Sequence, residues 1–444
     1  MAVGVAALAM GAVLLRGPGA TTGPNLGLLV IAFVALAAMV AWERASVPGG
    51  LDRRLVLGLS GALLVLAVVV PPTESADVWS YAMYGRMVAQ YSSSPYRHTP
   101  SEYQADPIGR RVPTFWLRSR SVYGPLFSAV SAAGMAAVGH SVLGARLFFQ
   151  GLAALAVALA LVLVDRRTRD PVALALLGVN PVTVVSVVNG GHNDALVGVA
   201  VLGGALLVAT RRPGWAGVAL AAGALVKVAA LLPLAAVAVW VWCHHGRRAA
   251  GWLIATATAV GLGGLVVADA PAVLASLGDA AGRVNGGSTW AGLQRGLGGG
   301  SGHALAWGGI ASAVVLAVLL SWRRPLAEGP VLVAGGAVVA YLLVGTYVLP
   351  WYLAWGLPVL AVAWRWRVVW AAMAQAALLQ LGTARPTTPV RPDPLSVGSA
   401  VSRLQSDLYY VWAPLLEMAL VAVVVVAMVH RLRRPVAPAA RAPQ

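Results

Sequence analysis

A chain of 444 residues in which 59% are hydrophobic and 11% charged, with a mean hydropathy of +0.78, is not a soluble globular domain, whose charged share is roughly 25%. The net charge of +17 does not point to nucleic acid, because most arginines stand at the ends of apolar stretches, where membrane topology accounts for them. A single cysteine, Cys243, excludes an internal disulfide and any cysteine-built metal cage.

The first apolar run, Ala2 to Leu15, is followed rather than preceded by a basic residue, Arg16, and so reads as a membrane span and not as a secretory leader. Stretches long enough to cross a hydrocarbon core of about 30 Å recur as far as Met428 with no long polar block between them, which predicts one integral-membrane domain over residues 1–444, all-α and without an internal repeat. The arginine-bearing loops Glu43 to Arg54, Asp165 to Asp170, Thr210 to Gly214, His244 to Arg248, Ser321 to Glu328 and Arg365 to Arg367, with the tail from His430, are assigned to the cytoplasm. The stretches Arg16 to Asn25, that after Pro71, Asn189 to Asp194, Asp269 to His303, Thr346 to Trp355 and Thr383 to Asp407 then face outward. Parity requires no net crossing between Pro71 and Ala145, so Tyr123 to Val138, interrupted by Ser128, Ser131 and Gly134, is predicted as a juxtamembrane helix inside a large first outer loop, 72–144. About 14 transmembrane helices result, with both termini cytoplasmic.

The first outer loop concentrates chemistry. Asp77 is followed by Trp79, Ser80, Tyr81 and Tyr84, then by Tyr96 and Tyr123. Aromatic faces cover the apolar side of a pyranose while carboxylate and hydroxyl groups bind its hydroxyls, and a carboxylate also serves as a general base. The plainer role for Asp77 is as a helix N-cap. Further on, His192, Asn193 and Asp194 meet at the outer mouth of a helix, suited to sugar hydroxyls or to capping the helix start.

Lys227 is the only lysine. Trp215 to Cys243 is flanked on both sides by arginine pairs, so the run must cross twice with its apex near Lys227. A cation buried at mid-membrane costs about 2.5 to 3.5 kcal/mol, which calls for a lipid-linked phosphate, an acid such as Glu417, or snorkelling to water. The outer stretches 269–303 and 383–407, the first with Arg283 and Arg295, serve as lids or as connectors. Tyr347, Trp351, Tyr352 and Trp355 line a sugar path or form an interfacial belt, and a helix–helix hydrogen bond is the simpler role for Glu417.

The run Gly178-Val-Asn-Pro-Val-Thr-Val-Val-Ser-Val-Val-Asn-Gly-Gly-His-Asn-Asp-Ala-Leu196, with Asp77-Val-Trp-Ser-Tyr81, Tyr123-Gly-Pro-Leu126 and Leu225-Val-Lys227, resembles the actinobacterial polyprenol-phosphate-mannose-dependent alpha-1,6-mannosyltransferases over most of the chain. The resemblance implies a GT-C type integral-membrane glycosyltransferase with a catalytic carboxylate at Asp77 and a polyprenyl-phosphate sugar donor, mannose before other hexoses. The acceptor is then a glycan or glycolipid on the extracytoplasmic side, attacked with inversion to an alpha linkage. Lys227, His192, Arg283 and Arg295 are the candidates for the donor phosphate. Trp79, Ser80, Tyr81, Tyr84, Tyr96, Tyr123, Asn193, Asp194, Trp351 and Tyr352 are those for donor sugar or acceptor. The scheme calls for no metal, no cofactor and no nucleic-acid partner. A lipid-sugar flippase or transporter is the rival; it fits less well because the interrupted helix pair occurs once and the polar chemistry lies on one side.

Overall fold

The computed structural model describes residues 1–18, 20, 22–45, 50–321, 329–384 and 397–433, which are mostly helical with no strand among them. Most of the arginine loop Ser321 to Glu328, the middle of Thr383 to Asp407 and the tail beyond Arg433 lie outside the described residues. In chain order come α1 (Ala2–Arg16), α2 (Thr22–Ala45), α3 (Arg53–Val69), α4 (Asp77–Tyr91), the single turn α5 (Thr114–Leu117), α6 (Pro125–Val138), α7 (Val142–Thr168) and α8 (Pro171–Gly178). After a π-helix, Val182–Val188, follow α9 (Asp194–Ala209), α10 (Pro213–Val226), α11 (Leu231–His245), α12 (Arg247–Val267), α13 (Ala270–Ala281), α14 (Trp290–Leu297), α15 (Gly302–Ser321) and α16 (Gly329–Val344). A 3-10 turn, Pro350–Trp355, leads to α17 (Leu357–Val362), α18 (Val368–Thr383), α19 (Val397–Asp407) and α20 (Ala413–Arg433).

Seven helical segments among the described residues are long and apolar enough to cross a membrane: Gly23–Ala45, Val142–Thr168, Pro171–Val188, Val228–His245, Arg247–Val267, Gly302–Leu320 and Ala400–Ala427. Their burial sorts them. Pro171–Val188 is 94% buried and therefore central, whereas Arg247–Val267 and Ala400–Ala427, at 17% and 11%, present apolar side chains outward as lipid-facing helices do. The central segment starts at Asp170, whose carboxylate accepts from Val172 N at 2.8 Å with Pro171 in the first helical position, a strong start signal. Pro181 ends α8, and the π-helix that follows is a geometry often found at functional sites.

Two close backbone crossings position the first outer segment. A Cβ on Gly85 of α4 would lie 2.5 Å from Ser131 O of α6, and one on Gly124 would lie 2.1 Å from Leu225 O of α10. Gly124 N also donates to Val226 O at 3.0 Å, so α6 starts against the end of α10, beside Lys227. With 14 residues, α6 is about 21 Å long, short of a full hydrocarbon core.

Asp269 to His303, expected from sequence to serve as a lid or a connector, contains α13 and α14; the alanines of 270–281 favour helix. Ion pairs Arg97–Asp269 and Arg120–Asp279 and a hydrogen bond from Ser276 Oγ to Ser121 O, 2.7 Å, join this segment to the loop that carries Asp77.

Candidate active site

Six stretches distant in sequence line a cavity of about 480 Å³ whose walls include Asp77, Lys227, Arg283, Tyr123, Trp351 and Tyr352. Asp77 is the first residue of α4, but its carboxylate does not cap the helix; the cap residue is Ala76. Its Oδ1 instead accepts from Trp116 Nε1 at 2.8 Å, leaving the rest of the group turned to the cavity. Burial pushes the carboxyl up to about 6, against the Trp116 hydrogen bond and the nearby Lys227 charge. A carboxylate so placed is anionic at neutral pH and more basic than a solvated one.

Lys227 lies in the break between α10 and α11, with extended backbone (φ −152°, ψ 126°). Its ammonium donates to Asp194 Oδ1 at 2.8 Å, and Nζ stands 4.1 Å from the Tyr352 ring centroid, 5.1 Å from that of Trp355 and 6.0 Å from that of Tyr123. The lysine is therefore paired with an acid and caged by aromatic faces, and that acid is Asp194 rather than Glu417. Glu417 accepts from Gln375 Nε2 at 2.6 Å and from Thr289 N at 3.0 Å, the inter-helix hydrogen-bonding role. Arg283 lies 5.3 Å and 5.2 Å from the ring centroids of Phe115 and Trp116, with Nη2 donating to Ser119 Oγ at 3.3 Å. Among the described residues it pairs with no carboxylate.

Of the other residues singled out in the sequence, several lie behind the cavity wall. His192 is fully buried: the turn through Gly191, at φ +67°, folds it beneath Trp351, on which it stacks with centroids 4.1 Å apart. Burial, then the Lys227 charge, hold its imidazole well below the usual range, so it is neutral; Nδ1 shares a hydrogen bond with Tyr81 Oη, 3.0 Å. It supports the Trp351 wall and offers no cation to a phosphate. Neither His192 nor Asp194 caps α9, whose cap residue is Asn193 without a side-chain bond. Asp194 is buried and also accepts from Trp355 Nε1 at 2.5 Å, making it the holder of Lys227. Asn193 is buried, and its side chain has no hydrogen-bond partner among the described residues.

Tyr84 donates to Ser119 O at 2.8 Å, and Tyr96 Oη donates to Tyr123 O at 3.0 Å and bonds Ser128 Oγ at 2.7 Å. Both pin the loop rather than face the cavity. Ser80 is fully buried, and Trp79 lies 5.3 Å beneath the Arg111 guanidinium. Arg295, exposed on α14, bonds only back to Ala291 O among the described residues and does not reach the cavity. Tyr347 and Trp355 do line it.

The residues that hold the entry to α4 went unread in the sequence. Asn189 donates to Ala67 O, Val70 O and Pro71 O at 3.0–3.1 Å and accepts from Thr73 N at 2.8 Å. Gln150 donates to Ala67 O, Val70 O and Asn189 O, while Arg146 bonds Val68 O, Val69 O and Gln150 Oε1. The half-buried Glu74 accepts from Ser186 Oγ on the π-helix at 2.9 Å and from Gln380 Nε2 at 3.2 Å, and desolvation pushes it up to about 7. Arg146 carried a usable signal: it is an arginine at the end of a span opposite to the arginine loops, where a structural anchor is the economical explanation.

Fold and site together define a multi-pass, all-helical membrane protein with an acid and cations on one cavity. The family model for the N-terminal domain of alpha-(1->6)-mannopyranosyltransferases matches residues 4–244, more than half of the chain, and the chain belongs to that family. The match takes in Asp77, Asp194 and Lys227 and stops short of Arg283 and Trp351. The chain is 28% identical over 225 residues to alpha-(1->6)-mannopyranosyltransferase A of Mycobacterium tuberculosis, covering 46% of this chain and 42% of the relative. It is 31% identical over 201 residues to the A enzyme of Corynebacterium glutamicum (44% and 40%) and 28% identical over 187 residues to the B enzyme of that organism (39% and 30%). The similarity thus spans less than half the length of these curated relatives. No solved structure matches.

Proposed function

We propose that the protein is a glycosyltransferase that moves mannose from a polyprenyl-phosphate donor to a hydroxyl of a glycan or glycolipid on the extracytoplasmic side. The observation that carries this reading is the presence of Asp77, Lys227 and Arg283 on one cavity with an aromatic wall. The Asp77 carboxylate accepts the proton of the acceptor hydroxyl. That oxygen bonds to the anomeric carbon as the bond from carbon to phosphate oxygen breaks, and the phosphate leaves with the electron pair. Attack opposite the phosphate converts a beta-linked donor into an alpha-linked product. Lys227 and Arg283 stabilise the charge that grows on the departing phosphate. Tyr123, Trp351 and Tyr352 offer ring faces to the sugars.

The arginine loops support a topology of about 14 crossings with cytoplasmic termini and the cavity outside. In it, α10 and α11 are the two crossings that meet at Lys227, and α6 lies at the membrane surface over the site. Domain unity over residues 1–444, a linkage to the 6-position and independence of metals belong to the same reading. The test is turnover by the purified full-length chain in detergent, with synthetic polyprenyl-phosphate mannose and a short mannan acceptor. Release of polyprenyl phosphate matched by an alpha-mannoside supports the proposal, and its absence at saturating donor and acceptor overturns it.

A further inference from the structure

A second cavity, of about 940 Å³, lies around the turn between α17 and α18. It is at the opposite end of the central segment from Asp77: Asp170, where that segment begins, lines this cavity, whereas Asn189, where it ends, holds the entry to α4. Trp364, Trp370, Arg365 and Arg367 form its polar end, and Leu420, Val423 and Val424 of α20 and Leu332 of α16 continue it as an apolar slot. Neither catalytic group of the outer cavity reaches it.

Among the described residues the polar end carries more positive than negative charge. Arg44 of α2 donates from Nη2 to the carbonyl oxygens of Trp364 and Arg365, both at 3.1 Å, and stands 5.6 Å and 5.2 Å from the ring centroids of Trp364 and Trp370. The Arg365 guanidinium lies 4.4 Å from the centroid of the Trp364 ring. Thus three guanidiniums gather at one turn, and among the described residues none of them has an ion-pair partner. The one carboxylate in the lining among the described residues is already engaged: Asp170 accepts from Val172 N at 2.8 Å and from Trp364 Nε1 at 2.7 Å. Trp370 Nε1, at the same turn, is buried without a hydrogen-bond partner among the described residues, and a buried donor of that kind calls for an acceptor.

We infer that this cavity binds an anionic glycerophospholipid, with its phosphate between Arg365 and Arg367, a phosphate oxygen accepting from Trp370 Nε1, and an acyl chain in the slot against α20. Arginine matches a phosphodiester with charge-assisted, forked hydrogen bonds. Tryptophan rings sit at headgroup depth, and basic pockets between helices select anionic headgroups. That the leaflet is the cytoplasmic one rests on the topology proposed above; the lipid site itself does not depend on the transferase reading, because its test measures lipid and not transfer.

The test is native mass spectrometry of the full chain titrated with phosphatidylglycerol and with phosphatidylcholine of the same acyl chains. The wild type is expected to retain phosphatidylglycerol preferentially. In the Arg365→Gln/Arg367→Gln double variant that preference falls about thirtyfold, each arginine near the surface contributing about fivefold. Trp370→Phe, which keeps the ring and removes the N–H, lowers it severalfold. Equal retention of both lipids by the wild type, or an unchanged preference in the double variant, overturns the assignment. Should the variants not fold, wild-type protein photolabelled with a diazirine-bearing phosphatidylglycerol decides: adducts at Val368–Ala371 and Leu420–Val424 support the site, and labelling elsewhere alone overturns it.

Discussion

Replacing Asp77 by Asn separates the chemistry of the carboxylate from its place in the fold. The amide keeps an oxygen to accept from Trp116 Nε1, the one side-chain hydrogen bond made by Asp77, so the entry to α4 is preserved. What disappears is the negative charge. In the folded protein the carboxyl sits at about 6, against about 3.9 when unfolded, so the native state holds the proton more tightly. The contribution of this carboxyl to stability is therefore greatest below about pH 4, declines as pH rises to about 6, and is level above that, at a cost of about 3 kcal/mol before screening. Water in the cavity trims this to about 1–2 kcal/mol. The neutral Asn avoids that cost, so Asp77→Asn melts at a higher temperature than wild type at pH 7.5 and at the same temperature near pH 4. Transfer moves the other way: loss of a general base costs about 10² to 10⁴ in kcat, or about 3–5 kcal/mol in the barrier. The wild-type rate itself should climb through pH 6 to a plateau, because the base works only when deprotonated. The assays are thermal melting and radiolabelled mannosyl transfer in the same detergent. A variant within about threefold of wild-type turnover, or one destabilised at pH 7.5, refutes the reasoning.

Removing the partner of a buried charge costs more than removing both. Lys227→Met leaves Asp194 buried and without its cation, and is expected to destabilise the protein by about 3–5 kcal/mol, read as a fall in melting temperature; adding Asp194→Asn restores most of that loss without restoring transfer. Gly124→Ala places a Cβ 2.1 Å from Leu225 O, so α6 must move off the end of α10; turnover should fall at least about tenfold with secondary structure by circular dichroism unchanged, since a shift of about 1 Å is enough to misplace reacting groups. Glu417→Leu removes the two oxygens that accept from Thr289 N and Gln375 Nε2 and tie the segment after Arg283 to α18 and α20. Donor KM should rise severalfold with kcat nearly unchanged, measured by donor titration.

The sequence shows much of this architecture because its signals are physical and local. Arginine pairs on either side of Trp215 to Cys243 require an interruption near Lys227, and the backbone is extended at that residue. The predicted Tyr123 to Val138 helix exists from Pro125 to Val138. Partner choice does not show in the same way. The carboxylate that meets Lys227 is Asp194, 33 residues upstream, while Glu417 is another acid beside an apolar stretch; only the return of α9 beside α10 separates them. His192 reads as a polar residue at a helix mouth, and nothing in its neighbours in sequence shows that Trp351, from the far side of the chain, will cover it. Asn189 and Gln150 bond chiefly to backbone carbonyls at the end of α3, contacts that leave no pairing pattern in side-chain types.

Within the proposed reaction the two cavity cations have unequal tasks. Lys227 is bound to Asp194, a carboxylate that also holds Trp355 Nε1, so at rest the pair is close to neutral and draws in an anion only weakly. Arg283 has a serine hydroxyl and two aromatic rings for company and keeps its full charge for a ligand, as a planar fork suited to phosphate. Arg283 should then dominate ground-state capture of the donor, while Lys227 contributes as charge builds on the leaving phosphate and competes with Asp194 for the ammonium. On that division Arg283→Gln raises donor KM by about tenfold or more with a smaller effect on kcat, the signature of binding lost equally from ground and transition states. Lys227→Gln in the Asp194→Asn background lowers kcat with donor KM little changed. Donor titrations at saturating acceptor give both constants, and if Arg283→Gln loses kcat alone, the arginine serves the transition state and the division is wrong.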